Sequence, residues 1–249
     1  MKFAERYGPF AVVAGASEGT GAAFVRGLAR RGVPSLLVAR RKEPLETLAA
    51  EIAAETGLHC PTLSLDLSDP DATGKIAAAV GGREVGLYVA NAGADPNSAH
   101  FLDQYIAAWT AYIQRNVMTL MACCHHFGGA MRARGRGGLL IVNSGACYGG
   151  GSYMAAYSAS RAFALMFGES LWSELKPSGV DVLNCVMTLT DTPALRRLLD
   201  RNGLPVPSVA ASADAVAEAA LDRLGDGPVF NWGQADDVAG FAVNTPAER

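Results

Sequence analysis

Tyr157 and Arg161 stand four residues apart in the run Tyr157-Ser158-Ala159-Ser160-Arg161. On a helix that spacing puts both side chains on one face. A phenol beside a fixed positive charge is a tunable proton donor, because the cation favours the tyrosinate. Near the N-terminus lies a second chemical feature, a glycine-rich turn with Gly15, Gly19 and Gly21.

The turn Ala14-Gly15-Ala16-Ser17-Glu18-Gly19-Thr20-Gly21 follows the apolar run Phe10–Ala14 and opens a helical pattern. In that context glycines allow a tight bend and let a pyrophosphate approach backbone N–H groups at a helix N-terminus. A plain strand-to-helix turn is the alternative use of the same residues. The end of the second strand then selects the dinucleotide. An acid there suits the ribose 2′-hydroxyl of NAD, and a cation suits the 2′-phosphate of NADP. The chain has Ala39-Arg40-Arg41-Lys42, whose arginine forks match a phosphate, so NADP(H) is expected. A solvated basic start to the next helix is the bland alternative, and Glu18 adds a charge that opposes the phosphate. Together these features predict a nicotinamide-dependent oxidoreductase.

The elements that must position these residues alternate. Strand-like runs fall at Phe10–Ala14, Pro34–Ala39, Pro61–Leu65, Val85–Ala90, Leu139–Asn143, Val180–Val186 and Pro228–Asn231. Helical patterns lie between them, at Ala22–Arg31, Pro44–Thr56, Asp69–Val80, Leu102–Arg134, Met154–Leu175 and Ala213–Leu224. Strands that are apolar on both faces and alternate with helices predict a parallel sheet covered on each side. The fold class expected is α/β, a single Rossmann-like doubly wound domain over residues 1–249.

Composition narrows the function classes. Half of the 249 residues are hydrophobic and 18% are charged, enough for a large core. A net charge of −3 offers nothing to nucleic acid or an anionic membrane. The five cysteines are odd in number and form no Cys-x-x-Cys pair, as in a reducing compartment. Neither a signal peptide nor a membrane span is evident, so a cytoplasmic protein is expected. In Cys123-Cys124-His125-His126, adjacent helical residues point apart and cannot converge on one ion. No metal site is expected.

The chain resembles the short-chain dehydrogenase/reductase family from about Phe10 to Thr192. The resemblance rests on Gly15, Gly19 and Gly21, on Asp66 after the third strand, on Asn91-Ala92-Gly93 after the fourth, and on Asn116, Ser144 and Tyr157 in order and spacing. It implies that Tyr157 exchanges a proton with the carbonyl or alcohol oxygen and that Ser144 hydrogen-bonds the same oxygen. Asn116 would hold a water through a local break in its helix. Asp66 would contact the adenine ring with Leu67 beside it, and Asn91 would steady the sheet. Gly93 with Ala92 would face the cofactor, and Thr192, with Thr190, would reach the carboxamide. Ser17 and Thr20 complete the phosphate turn, and Arg40 and Arg41 the adenosine end.

Two departures stand out. Arg161 replaces the family's lysine, which holds the nicotinamide ribose and passes protons; arginine keeps charge and donors but is no proton relay. Met187-Thr188 replaces Pro-Gly after the sixth strand. Both keep open an alternative reading, a redox-weak NADP-binding protein with a regulatory, binding or non-redox role. Residues 189–207, with Leu195, Leu198 and Leu199, are expected to form a lid over a hydrophobic substrate. Cys147, Tyr148 and Tyr153 are candidates to line its pocket. The stripe Phe163, Phe167 and Leu171 reads as interface or core. The resemblance implies a homodimer or homotetramer, with the ending Gly233–Arg249 unlike the family's.

Overall fold

The computed structural model describes residues 2–93, 99–201, 203–208 and 210–232; the ending from Gly233 lies outside them. Seven parallel strands form one sheet: β1 (Phe10–Ala14), β2 (Ser35–Ala39), β3 (Thr62–Ser64), β4 (Val85–Ala90), β5 (Gly137–Ser144), β6 (Val180–Met187) and, last in the chain, β9 (Val229–Trp232). A separate two-stranded parallel pair joins β7 (Thr190–Asp191) to β8 (Ala211–Ser212). The order in the large sheet is β3-β2-β1-β4-β5-β6-β9. The chain therefore winds outward to β3, returns past β1 and winds the other way. The two directions meet between β1 and β4, where a crevice opens at the strands' carboxyl ends.

The continuous apolar runs are explained by helices on both faces. Alternate residues of a strand point to opposite sides. In β1, Ala11 and Val13 join Phe24 and Leu28 of α2 (Gly19–Arg30) and Val216 and Ala220 of α9 (Ala213–Asp222). Val12 and Ala14 instead join Ile76 of α4 (Ala72–Val80) and Phe127 of α6 (Thr119–Arg134). The strand has no solvent face, so nothing requires a polar residue in it. The other helices are α1 (Phe3–Tyr7), α3 (Lys42–Thr56), α5 (Ile106–Ile113), α7 (Ala155–Leu175) and α8 (Pro193–Arg201).

Helix α1 was not predicted, being too short to show a period. A tertiary contact holds it: Arg6 donates twice to Asp181 on β6, at 2.6 and 2.8 Å, and Tyr7 donates to the same carboxylate at 2.7 Å. The expected long helix over Leu102–Arg134 is broken. A 3-10 turn covers Phe101–Asp103, and a π turn, Gln114–Met118, separates α5 from α6. Among the described residues no helix is long and apolar enough to cross a membrane.

Candidate active site

The glycine turn packs against the end of β4. Gly15 has φ +87°, a conformation that favours glycine. A Cβ on Gly21 would lie 1.9 Å from the Gly15 carbonyl oxygen, so the first turn of α2 presses on the loop before it. Asn91 secures this contact. Its Nδ2 donates to the Gly15 carbonyl at 2.9 Å, and its Oδ1 accepts from the Thr20 hydroxyl at 2.7 Å. The Asn91 and Ala92 N–H groups both donate to the Ala14 carbonyl.

A cavity of about 2040 Å³ runs across the carboxyl ends of the strands. Gly15, Ser17, Gly19, Thr20, Arg40, Arg41, Leu67, Asn91, Ala92 and Gly93 border it toward β1 and β2, and Ser144, Tyr157, Arg161, Thr190 and Thr192 toward β5 and β6. Of the sequence-predicted site residues, Gly21, Asp66 and Asn116 do not border it. The Asp66 carboxylate accepts from the N–H and hydroxyl of Ser68, at 2.9 and 2.8 Å. Burial would raise its pKa; these bonds, with the charges of Arg40 and Arg115, outweigh that and lower it. The Thr192 hydroxyl accepts from Leu195 N–H at 3.2 Å at the start of α8. Thr190 is buried, and its hydroxyl donates to the Thr188 carbonyl at 3.2 Å.

Ser144 ends β5, and Tyr157 and Arg161 lie on one face of the first turns of α7. Arg161 is 7% exposed, which for a guanidinium demands acceptors. They come from three directions. Nη1 donates to the Val142 carbonyl at 3.2 Å, and Nη2 donates to the Gly93 carbonyl and, at 3.1 Å, to Asn116 Oδ1. A Cβ on Gly93 would sit 1.7 Å from Nη2, so the glycine makes room for the guanidinium. The Arg161 carbonyl accepts from Asn143 Nδ2 at 3.1 Å, tying α7 to β5. The guanidinium carbon lies 5.2 Å from the Tyr157 ring centre. Asn116 sits in the π turn, which leaves the Tyr112 carbonyl to accept from Asn116 Nδ2 at 2.8 Å. The Asn116 Oδ1 meets the Arg161 cation directly.

Over the cavity lies the segment expected to be a lid. It carries β7 and α8, and Leu189, Leu195 and Leu198 face the cavity with Tyr153 and Met154. Leu199 does not border it. Tyr153 adopts φ +64° and stacks on His100, with ring centres 3.9 Å apart. One expectation is corrected. Cys147 and Tyr148 do not line the cavity; they pack with Leu165 and Val186 on the other side of the turn after β5. Cys123 and Cys124 are buried while His125 and His126 are exposed. Sequence reading missed Arg115 and Arg197, which also border the cavity. Neither belongs to a recognisable motif, and Arg197 reaches the cavity only because α8 folds over the glycine turn.

The comparisons with known proteins agree with this architecture. The family model for short chain dehydrogenase matches residues 9–203. The chain is 31% identical to the 7beta-hydroxysteroid dehydrogenase of Collinsella aerofaciens, over 90% of this chain and 86% of that one. It is 30% identical to a very-long-chain 3-oxoacyl-CoA reductase-like protein of Arabidopsis thaliana, over 90% and 72%. A solved structure from work on 7beta-hydroxysteroid dehydrogenase stereoselectivity superposes with TM-score 0.88 at 29% identity, covering 95% of this chain and 92% of that one. The short-chain dehydrogenase of Sphingobium yanoikuyae, solved with NADPH, gives 0.81 at 27% identity, covering 92% and 90%. The chain belongs to the short-chain dehydrogenase family and is built for carbonyl–alcohol oxidoreduction.

Proposed function

We propose that the chain is an NADP(H)-dependent oxidoreductase that interconverts a hydrophobic ketone and its alcohol. One observation carries this: a single cavity joins Arg40 and Arg41, the glycine turn, and Ser144, Tyr157 and Arg161. The protein atoms fit a dinucleotide. The α2 N-terminus opens into the cavity, and the buried Nε–H of Arg161 finds no acceptor among the described residues. That donor suits a ribose hydroxyl.

A nicotinamide bound here would supply or accept the hydride. Tyr157 gives its proton to the carbonyl oxygen, and Ser144 donates a hydrogen bond to the same atom. Arg161 holds a positive charge beside the phenol, its guanidinium carbon 5.2 Å from the ring centre. Leu189, Leu195, Leu198, Tyr153 and Met154 support an apolar substrate. We assign residues 1–249 to one cytoplasmic domain with its lid at 189–207. The exposure of Leu102 (90%), Tyr105 (85%) and Ile106 (71%) supports a homo-oligomer through this region.

Fluorescence titration with NADPH and NADH, followed by turnover on a carbonyl panel, tests the reading. NADPH should bind at least about tenfold more tightly, or roughly 1.4 kcal/mol, and Arg40→Ala should erase most of that preference. Equal affinities would sink the NADP assignment. The engagement of Arg161 with Asn116 favours one second reading, a dinucleotide-binding protein of weak redox activity. NADPH binding without turnover on any carbonyl would select it.

A further inference from the structure

Glu18 lies in the glycine turn and is the N-cap residue of α2, yet its side chain does not cap the helix. Its carboxylate instead accepts from two arginines. Arg41, beyond the tip of β2, donates to Oε2 at 2.5 Å. Arg197, on α8 of the lid, donates to Oε2 through Nη1 at 3.2 Å and to Oε1 through Nη2. One carboxylate thereby joins the two banks of the cavity at a helix N-terminus, where unpaired N–H groups favour an anion. All three residues border the cavity. The pairing holds the Glu18 carboxyl below its usual range, chiefly through Arg197, against the opposing effect of burial.

Two guanidinium forks around one carboxylate also form a receptor for a phosphate. The arginine side chains are 53% and 54% exposed, so solvent screens these pairs and exchanging their partner costs little. Thr192, at the root of α8, lies against the turn: its methyl is 3.0 Å from where a side chain on Gly19 would begin. The lid is therefore already seated over the phosphate-binding end of the crevice.

We propose that Arg197 is a ligand for a phosphate group of the dinucleotide, and that Glu18 is the internal anion that holds Arg197 and Arg41 until the dinucleotide takes them over. The inference rests on the cofactor reading above. It gives Glu18 a role that its charge alone would contradict. A carboxylate that competes for the arginines lowers dinucleotide affinity and ties α8 to the glycine turn.

Calorimetric titration with NADPH and NADH, paired with hydrogen exchange of residues 193–201, tests this in the wild type and in Glu18→Gln, Arg197→Ala and Arg197→Lys. Glu18→Gln should bind NADPH several-fold more tightly. Its α8 should exchange faster than wild type without dinucleotide and regain protection with it. Arg197→Ala should bind about tenfold more weakly and leave α8 unprotected in both states, while Arg197→Lys keeps part of both. Equal losses for NADPH and NADH identify the pyrophosphate as the partner, and a loss confined to NADPH identifies the 2′-phosphate. Weaker binding by Glu18→Gln, or wild-type affinity in Arg197→Ala, overturns the inference while leaving the cofactor reading intact. A wild type that binds neither dinucleotide overturns both.

Discussion

Arg161 Nη2 donates to Asn116 Oδ1 at 3.1 Å, joining the cavity face of α7 directly to the π turn between α5 and α6. The same guanidinium reaches the carbonyls of Val142 and Gly93, at the ends of β5 and β4. A cation at this position thus also serves as a clamp across three elements. A guanidinium carries five donors and no acceptor, so Arg161 can hold all three carbonyl oxygens at once.

Arg161→Lys should keep NADPH binding, since charge is conserved, with turnover equal to or above wild type. A lysine has one nitrogen head and can lose a proton, which restores a relay that arginine cannot offer. Arg161→Ala should weaken both cofactor binding and rate. It also leaves buried acceptors unpaired, with a cost on the order of 1–3 kcal/mol in stability. Stopped-flow hydride transfer and urea unfolding on the same variants separate these effects. Turnover that falls in Arg161→Lys as far as in Arg161→Ala would show that the fork itself is indispensable.

Tyr157→Phe should lower kcat by roughly 10²–10⁴-fold, the range for removal of a general acid. NADPH affinity should change little by comparison. Single-turnover kinetics beside an equilibrium titration makes the distinction, and a variant that still reduces carbonyls at the wild-type rate refutes the mechanism.

Gly93→Ala should displace the Arg161 guanidinium, because the new methyl carbon would fall 1.7 Å from Nη2. Overpacking of this kind costs about 1–3 kcal/mol. Both the unfolding midpoint and NADPH affinity should drop. In an Arg161→Ala background the same methyl meets no guanidinium, so its stability cost should shrink; an unchanged cost would locate the strain elsewhere.

Glu218 on α9 joins Arg30 at the end of α2 and Arg31, its C-cap residue. Burial raises its pKa, but hydrogen bonds from Arg30 and Arg31 outweigh burial and lower it. A depressed folded-state value means the stabilisation is present above the unfolded value, about 4.3, and is lost as pH falls through the folded one. Glu218→Gln should therefore be less stable than wild type at neutral pH, by about 0–1 kcal/mol for so exposed a pair. The gap should close in acid and narrow in 1 M salt, where screening acts over roughly 3 Å. Urea unfolding across pH checks the sign, and a gap that widens toward acid would contradict the pairing.

The sheet and its order of elements were legible because their signals are local. Phe10–Ala14 and Val85–Ala90 are apolar throughout, as strands covered on both faces must be, and glycines follow β1 where the chain bends sharply. The four-residue step from Tyr157 to Arg161 likewise fixed their shared face, since helix geometry depends on spacing alone. The direction of a long side chain was not legible. Arg161 borders the cavity, and its guanidinium is set there by three acceptors 19 or more residues away in the chain. Glu18 read as an isolated negative charge in a phosphate turn until the fold brought Arg197 to it, 179 residues later. Cys147 and Tyr148 follow Ser144 closely, yet the 3-10 turn after β5 carries both away from the cavity. By itself the sequence determined the seven strands of the sheet, most of the helices that cover it and which residue types meet at the crevice, because burial and local geometry are written in spacing. Tertiary structure alone decided which charges pair there, because ion pairs form between whatever groups the packed elements bring within reach.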